Sequence, residues 1–300
     1  MEQVRIPRNS PIHTPTAQRS PPKMPWHARL DLDYRREADR SVARFEHQGP
    51  LRILQSLYPE GDAVCHNVLV HPPSGLVAGD VLDIRIRVGA GAHGLVTTPG
   101  AGRFYRSADG TPARQQTRIA LEPGARLEWL PLEAIAYSGC VAENHLHCEP
   151  AAGAEMIGWD LTALGLPAAQ RPFVAGSFAQ HLELPGVWLE RGQLAADDHR
   201  LLDGPLGLAG QRCIATLFFL AGSALGRARR EQALELARAC IEAHPLRSRA
   251  GATSPDPQVV VVRALAPLVE PAMHLMRQIW QSWRHGLWGR AAASPRIWSA

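Results

Sequence analysis

From residue 30 onward the apolar residues of this chain recur at every second position, and that period decides the fold class. Leu30, Leu32 and Tyr34 alternate with Asp31 and Asp33, while Leu82, Ile84, Ile86 and Val88 alternate with Asp83, Arg85 and Arg87. Successive side chains of a strand point to opposite faces, so this text spells strands with one buried face. Further strands are expected over 94–98, 116–122, 125–130, 154–160, 178–184, 187–194, 213–220 and 258–264. Turn residues separate them: Glu122-Pro123-Gly124, Ala152-Gly153, Pro185-Gly186 and Asp203-Gly204-Pro205. The 26 glycines and 25 prolines among 300 residues favour many turns and short strands. The expected class is mainly β, one domain spanning 24–300.

Two helices interrupt the period, both late. Residues 229–243 place Ala233, Leu236, Ala237, Cys240 and Ile241 on one face and stop at His244-Pro245. Residues 271–288 open with Pro271 and carry Met276, Ile279, Trp280 and Trp283. Trp280, Trp283 and Trp288 beside Arg284 are residue types that dominate binding hot spots, so this helix is the candidate partner interface; core burial accounts for the tryptophans equally well.

Residues 1–23 hold prolines at 7, 11, 15, 21 and 22 and few apolar groups, and are expected to be a disordered extension. Of the formal net charge of +4, this segment with its next two residues carries +3, leaving little basic surplus on the body. A nucleic-acid binder needs that surplus to neutralise phosphates, so nucleic acid is not an expected partner. No apolar run is long enough to span a bilayer, no secretory leader is visible, and the five cysteines show no disulfide-like spacing. Those features point to a cytoplasmic protein.

Gly89-Ala90-Gly91-Ala92-His93-Gly94 matches a dinucleotide-binding fingerprint after a good strand. The helix that must follow is missing: Leu95-Val96-Thr97-Thr98-Pro99 is strand-like, so a hairpin turn is expected. No phosphate-cradling GxxxxGK[ST] occurs, and Ser223 in Gly222-Ser223-Ala224-Leu225-Gly226 does not form a hydrolase elbow. His145 and His147 share one face if they lie on a strand, and with Cys148 and Cys140 nearby they are candidate ligands for a borderline metal. Asp80, Asp160 and Glu190 stand in mostly apolar or glycine-rich text, where a carboxylate must be hydrogen-bonded, paired or wet. They read either as structural caps and ion pairs or as the lining of an internal passage. Acid pairs in a β-rich body also fit a carbohydrate-active hydrolase, the alternative function class.

Several ordered motifs carry a resemblance. Gly49-Pro50-Leu51, Tyr58-Pro59-Glu60-Gly61, Cys65-His66 and His71-Pro72-Pro73-Ser74-Gly75-Leu76-Val77-Ala78-Gly79-Asp80 are followed by Thr98-Pro99-Gly100-Ala101-Gly102-Arg103-Phe104-Tyr105-Arg106-Ser107. Then come Leu127-Glu128-Trp129-Leu130-Pro131-Leu132-Glu133, Gly158-Trp159-Asp160 and the terminal Pro295-Arg296-Ile297-Trp298. In this order, over about 26–298, the chain resembles the UreD (UreH) urease accessory proteins. Departures are Ser74-Gly75 and Ala78-Gly79-Asp80, where the family favours paired glycines, and Gly165-Leu166, where it favours Gly-Arg. The resemblance implies a β-helical fold with two helices toward the C-terminus. It implies a non-enzymatic nickel-insertion chaperone that joins UreF and, through it, the GTPase UreG. Such a chaperone docks on apo-urease and passes Ni(II) in transit, with no tightly bound cofactor. On that basis Asp80, Asp160 and Glu190 are the candidate transit ligands, with Cys65, His66 and His71 as second candidates.

Overall fold

The structure, a computed structural model, describes residues 25–299; the expected disordered extension 1–23 lies outside the described residues. The chain begins with β1 (His27–Glu37), which turns back antiparallel on β2 (Arg40–Gln48). Two short strands, β3 (Ser56–Leu57) and β4 (Cys65–Val68), start an opposite wall. The chain then coils. β5 (Val81–Val88) lies parallel to β1, β6 (His93–Thr97) parallel to β4, and β7 (Gly102–Phe104) starts a short third wall. The next coil repeats this course with β8 (Ala113–Leu121), β9 (Arg126–Leu130) and β10 (Ala134–Ala136). In the third, β11 (Cys140–Pro150) is followed by β12 (Glu155–Leu166), long enough to pair with both β9 and β10. After β13 (Arg171–Pro172), β14 (Gly176–Leu184) adds parallel to β11, and β15 (Trp188–Ala195) closes that sheet as a hairpin.

After the short α1 (His199–Asp203), β16 (Cys213–Ala221) pairs antiparallel with β12, followed by α2 (Arg227–Glu242), β17 (Ala250–Asp256), β18 (Val259–Ala266) and α3 (Val269–Trp288). The result is a β-solenoid of about four turns. One wall has the order β15-β14-β11-β8-β5-β1-β2, and the facing wall runs β17-β18-β16-β12-β9-β6-β4-β3.

The strand period explains the two cores. Inward positions of the first wall stack as Leu30, Ile84, Thr117, Leu146 and Leu182, one residue per strand. The facing wall is apolar on both sides. Its inner residues Leu127 and Met156 join the solenoid core, and its outer residues Leu95, Ile157, Trp159 and Phe219 meet the helices. That demand for a cover sets the amphipathic face of α3, where Ala272, Met276, Ile279, Trp280 and Trp283 are buried.

The Gly89–Gly94 segment corrects one expectation. It is a solenoid corner rather than a hairpin, because β5 and β6 belong to opposite walls. Gly91, Gly124 and Gly153, all at positive φ, turn three successive corners of this kind. Each is followed by a buried alanine: Ala92, Ala125 and Ala154. Gly94 makes room for Tyr34, whose ring lies 2.6 Å from where a β-carbon would stand.

A polar seam inside the solenoid as candidate functional site

The inner face of the first wall is not apolar throughout. Two residues before the Leu30–Leu182 stack, another ladder reads Ala28, Leu82, Gln115, Asn144 and Gln180. Its first two members pack in the core and the last three are polar. Facing them, β12 alternates Ile157, Trp159 and Leu161 toward the helices with Met156, Gly158 and Asp160 toward the lumen. Asp160 is therefore delivered inside the solenoid by strand parity alone.

Burial of these groups requires hydrogen bonds, and they find them in one another. Gln115 Nε2 donates to Asn144 Oδ1 at 3.3 Å, and Asn144 Nδ2 donates to Asp160 Oδ2 at 2.7 Å. Gln180 Nε2 donates to Asp160 Oδ1 at 2.5 Å, and Thr162 adds its hydroxyl at 3.4 Å. The partners of Asp160 are thus amides and a hydroxyl. Burial, helped by the nearby charge of Glu190, pushes its carboxyl up to about 6, against the opposing pull of those hydrogen bonds. Next along the seam, Thr216 lies opposite Asp160 in register and donates to Glu190 Oε1 at 3.4 Å. Glu190 is held by Arg263, with Nη2 2.5 Å from Oε2.

Two cavities follow the seam. One of about 60 Å³ is lined by Gln115, Thr117, Asn144 and Asp160; the Thr117 hydroxyl is buried without a protein partner. The other, of about 150 Å³, is lined by His71, Ser74, Arg103 and Gln115. They share Leu69, Thr98, Gly102 and Gln115 as lining, so polar groups run from His71 to Asp160. A space of this size holds a few ordered waters. A carboxylate that titrates near neutrality in such a space can exchange a proton for a cation.

The other expected site residues are dispersed. Asp80 is a turn clamp: Oδ1 accepts from the Trp26 amide at 2.8 Å and Oδ2 from the Val77 amide at 2.9 Å. Cys65 and His66 alternate along β4, so they face opposite sides of it. His66 bonds Glu60 at 2.6 Å beneath α3, while Cys65 lies in the solenoid core. His71 lines the outer cavity, and burial lowers its affinity for a proton. Cys140 and Cys148 are buried on the inner face of β11, whereas His145 and His147 point outward, so these four cannot share one ion.

The candidate interface on the last helix is also corrected. Trp280, Trp283, Arg284 and Trp288 are 0%, 0%, 0% and 7% exposed, turned against the solenoid because that wall needs a cover. Arg284 is the centre of a buried charge cluster. Its Nη2 lies 2.5 Å from Glu60 Oε2 and its Nε 3.5 Å from Glu128 Oε2. Glu128 in turn accepts from Trp280 Nε1 at 2.6 Å and meets His93 Nε2 at 2.7 Å. A partner docking on α3 would meet its opposite face.

Sequence reasoning missed Gln115, Asn144, Gln180 and Thr162. The available signal was a polar residue at an inward position of an otherwise apolar-inward strand, which identifies a lumen only once the coils are stacked.

Comparison with known proteins agrees with the motif order. The family model described as UreD urease accessory protein matches residues 27–299. A urease accessory protein UreD of Polaromonas naphthalenivorans is 68% identical over 276 residues, covering 92% of this chain and 100% of that protein. Counterparts bearing the same name from Variovorax paradoxus and Leptothrix cholodnii are 67% and 54% identical, each over 92% of this chain and 100% and 99% of their own lengths. With a family match across nearly the whole described body and relatives of this identity, the chain belongs to the UreD family of urease accessory proteins.

Proposed function

We propose that this chain is a nickel-insertion chaperone for urease. It docks on apo-urease and, with UreF and the GTPase UreG, passes Ni(II) toward the urease active site; the ion is cargo. The partner identities follow from the family resemblance. The observation that carries the passage is the seam from His71 through Gln115 and Asn144 to Asp160, a line of oxygen and nitrogen donors inside an otherwise apolar solenoid. Amide and carboxylate oxygens hold a borderline ion loosely enough to release it, whereas a closed thiolate and imidazole cage would retain it. Among the three candidate acids, Asp160 supports this reading best. Asp80 spends both oxygens on backbone amides, and Glu190 must first part from Arg263. The free state of all five cysteines supports a reducing, cytoplasmic setting.

A carbohydrate hydrolase would need two carboxyl groups flanking a sugar ring. The cavity at Asp160, about 60 Å³, has no room for one.

The test is urease maturation in cells that carry the urease and remaining accessory genes. With this gene deleted, urease should accumulate without nickel, and restoring the gene should return both nickel and activity. Full nickel content in the deletion strain would overturn the proposal.

A further inference from the structure

Where the two long helices meet, a pair of histidines lies outside both the seam and the charge cluster of Arg284. α2 ends at Glu242, and His244 sits just past that end, 5% exposed, with Pro245 barring further helix. Its ring meets that of His274, an exposed residue of α3, with centroids 5.3 Å apart.

One backbone group fixes the donor and acceptor roles in the pair. The Leu246 amide donates to His244 Nδ1 at 3.1 Å, so that nitrogen carries no hydrogen. The hydrogen of the ring is therefore on Nε2, which lies 3.2 Å from His274 Nδ1. His274 Nδ1 must accept, so this ring also holds its hydrogen on the far nitrogen alone. Both rings are neutral whenever the contact is made. A proton added to His274 Nδ1 would set N–H against N–H, and one added to His244 Nδ1 would face the Leu246 amide.

Burial opposes charge on His244 as well, and the nearby ring of His274 acts in the same direction. The surrounding elements do not offset this. On α2, Arg238 turns to the Ala252 carbonyl and Glu242 is exposed. In the turn beyond, Arg247 and Arg249 are exposed and of the sign that disfavours another proton. Asp256, the charged residue of β17, accepts from the Gln258 amide. On α3, Glu270 and Arg277 lie one turn to either side of His274, and Arg277 packs over the Trp298 ring.

We propose that His244 and His274 form an acid-released clasp, which holds the end of α2 and the turn after it against α3 only while both rings are uncharged. An opened His244 takes up a proton at its ordinary value of 6.5, whereas the closed ring resists it. The closed form thus binds fewer protons, so the clasp is intact above about pH 6.5 and weakens as pH falls below that value. Its release uncovers Ile241 and Leu246, both buried at the edge of the second core. No group of the seam takes part, so the clasp stands or falls independently of nickel passage.

The test is hydrogen exchange of the full chain at pH 7.5 and pH 5.5, read by mass spectrometry on the peptide that holds Leu246. Each rate is divided by the intrinsic rate at that pH. The normalised rate should rise about tenfold at pH 5.5, one unit below the ordinary value of the opened ring. Strands β12 and β16 should keep their normalised rates. His244→Asn offers the Leu246 amide an acceptor that takes no proton, so in that variant the rise should vanish. A change under about twofold in the natural chain overturns the clasp. An equal rise in β12 and β16 would mean global opening and overturns it too. A rise in folded His244→Asn as large as in the natural chain does the same. If that variant does not fold, the natural chain decides, by whether the rise is confined to the end of α2 and its turn.

Discussion

Replacing Asp160 with asparagine should stabilise the fold at neutral pH while abolishing its proposed use. The carboxyl is raised from 3.8 to about 6, so folding disfavours its charged form. Below about pH 4 both folded and unfolded chains hold the proton and the group costs nothing. Between about 4 and about 6 the unfolded chain ionises first, the folded state binds more protons, and stability falls as pH rises. Above about 6 the full cost remains: about 2 pH units at 1.36 kcal/mol each, or about 3 kcal/mol. Asparagine removes this charge but has only one accepting oxygen for the amides of Asn144 and Gln180, which gives back ~1 kcal/mol. Asp160→Asn should thus gain about 2 kcal/mol at pH 7 and lose up to about 1 kcal/mol at pH 4, where the carboxyl costs nothing and only the lost acceptor counts. Urea unfolding at both pH values, compared at equal m, reads the difference. Equal destabilisation at the two pH values would refute the reasoning, because it would mean the carboxylate is charged and satisfied in the seam.

Arg284→Ala should cost about 3–5 kcal/mol by chemical denaturation, because it leaves Glu60 and Glu128 beneath α3 without their guanidinium. Adding Glu128→Gln should recover part of that loss, and a single-variant cost under about 1 kcal/mol would contradict the cluster. Asp80→Ala should cost about 1–3 kcal/mol through the freed Trp26 and Val77 amides; full stability would show that the clamp is dispensable. Of the five cysteines only Cys240 is half-exposed, and burial pushes the Cys140 and Cys213 thiols up to about 12. A thiol reagent at pH 8 should therefore label one site quickly, and two or more fast sites would contradict the burial.

The strands were legible because one wall has a solvated face: Leu82 to Val88 alternates, and Arg85 and Arg87 are exposed outside, while Asp83 on the same face is covered by Arg85 and Arg118. Both long helices were legible within about two residues at each end, from their apolar stripes and the stop at His244-Pro245. The coil was less so. Gly-Ala pairs at 91–92, 124–125 and 153–154 mark three stacked corners, but their spacing varies, and the Gly89–Gly94 corner resembles a hairpin turn until β5 and β6 are seen on opposite walls. The seam was half legible. Asp160 stood out as an acid in apolar text, while its partners Asn144 and Gln180 lie 16 and 20 residues away and meet it only through register. The tryptophans of α3 left interface and core open for a physical reason: both reward the same residue types, and only the fold shows that the facing wall needs a cover. Arg284 and Glu60 lie 224 residues apart, beyond any local signal.

The most direct test of the central claim is transfer of nickel through the chain in a defined mixture. Apo-urease, this chain, UreF and nickel-loaded UreG with GTP would be combined in the presence of a chelator strong enough to strip free Ni(II), and urease activity and bound nickel measured. With the natural chain, urease should gain both despite the chelator; with folded Asp160→Asn it should remain without nickel. Activation by Asp160→Asn at the rate and extent of the natural chain would contradict passage through the seam.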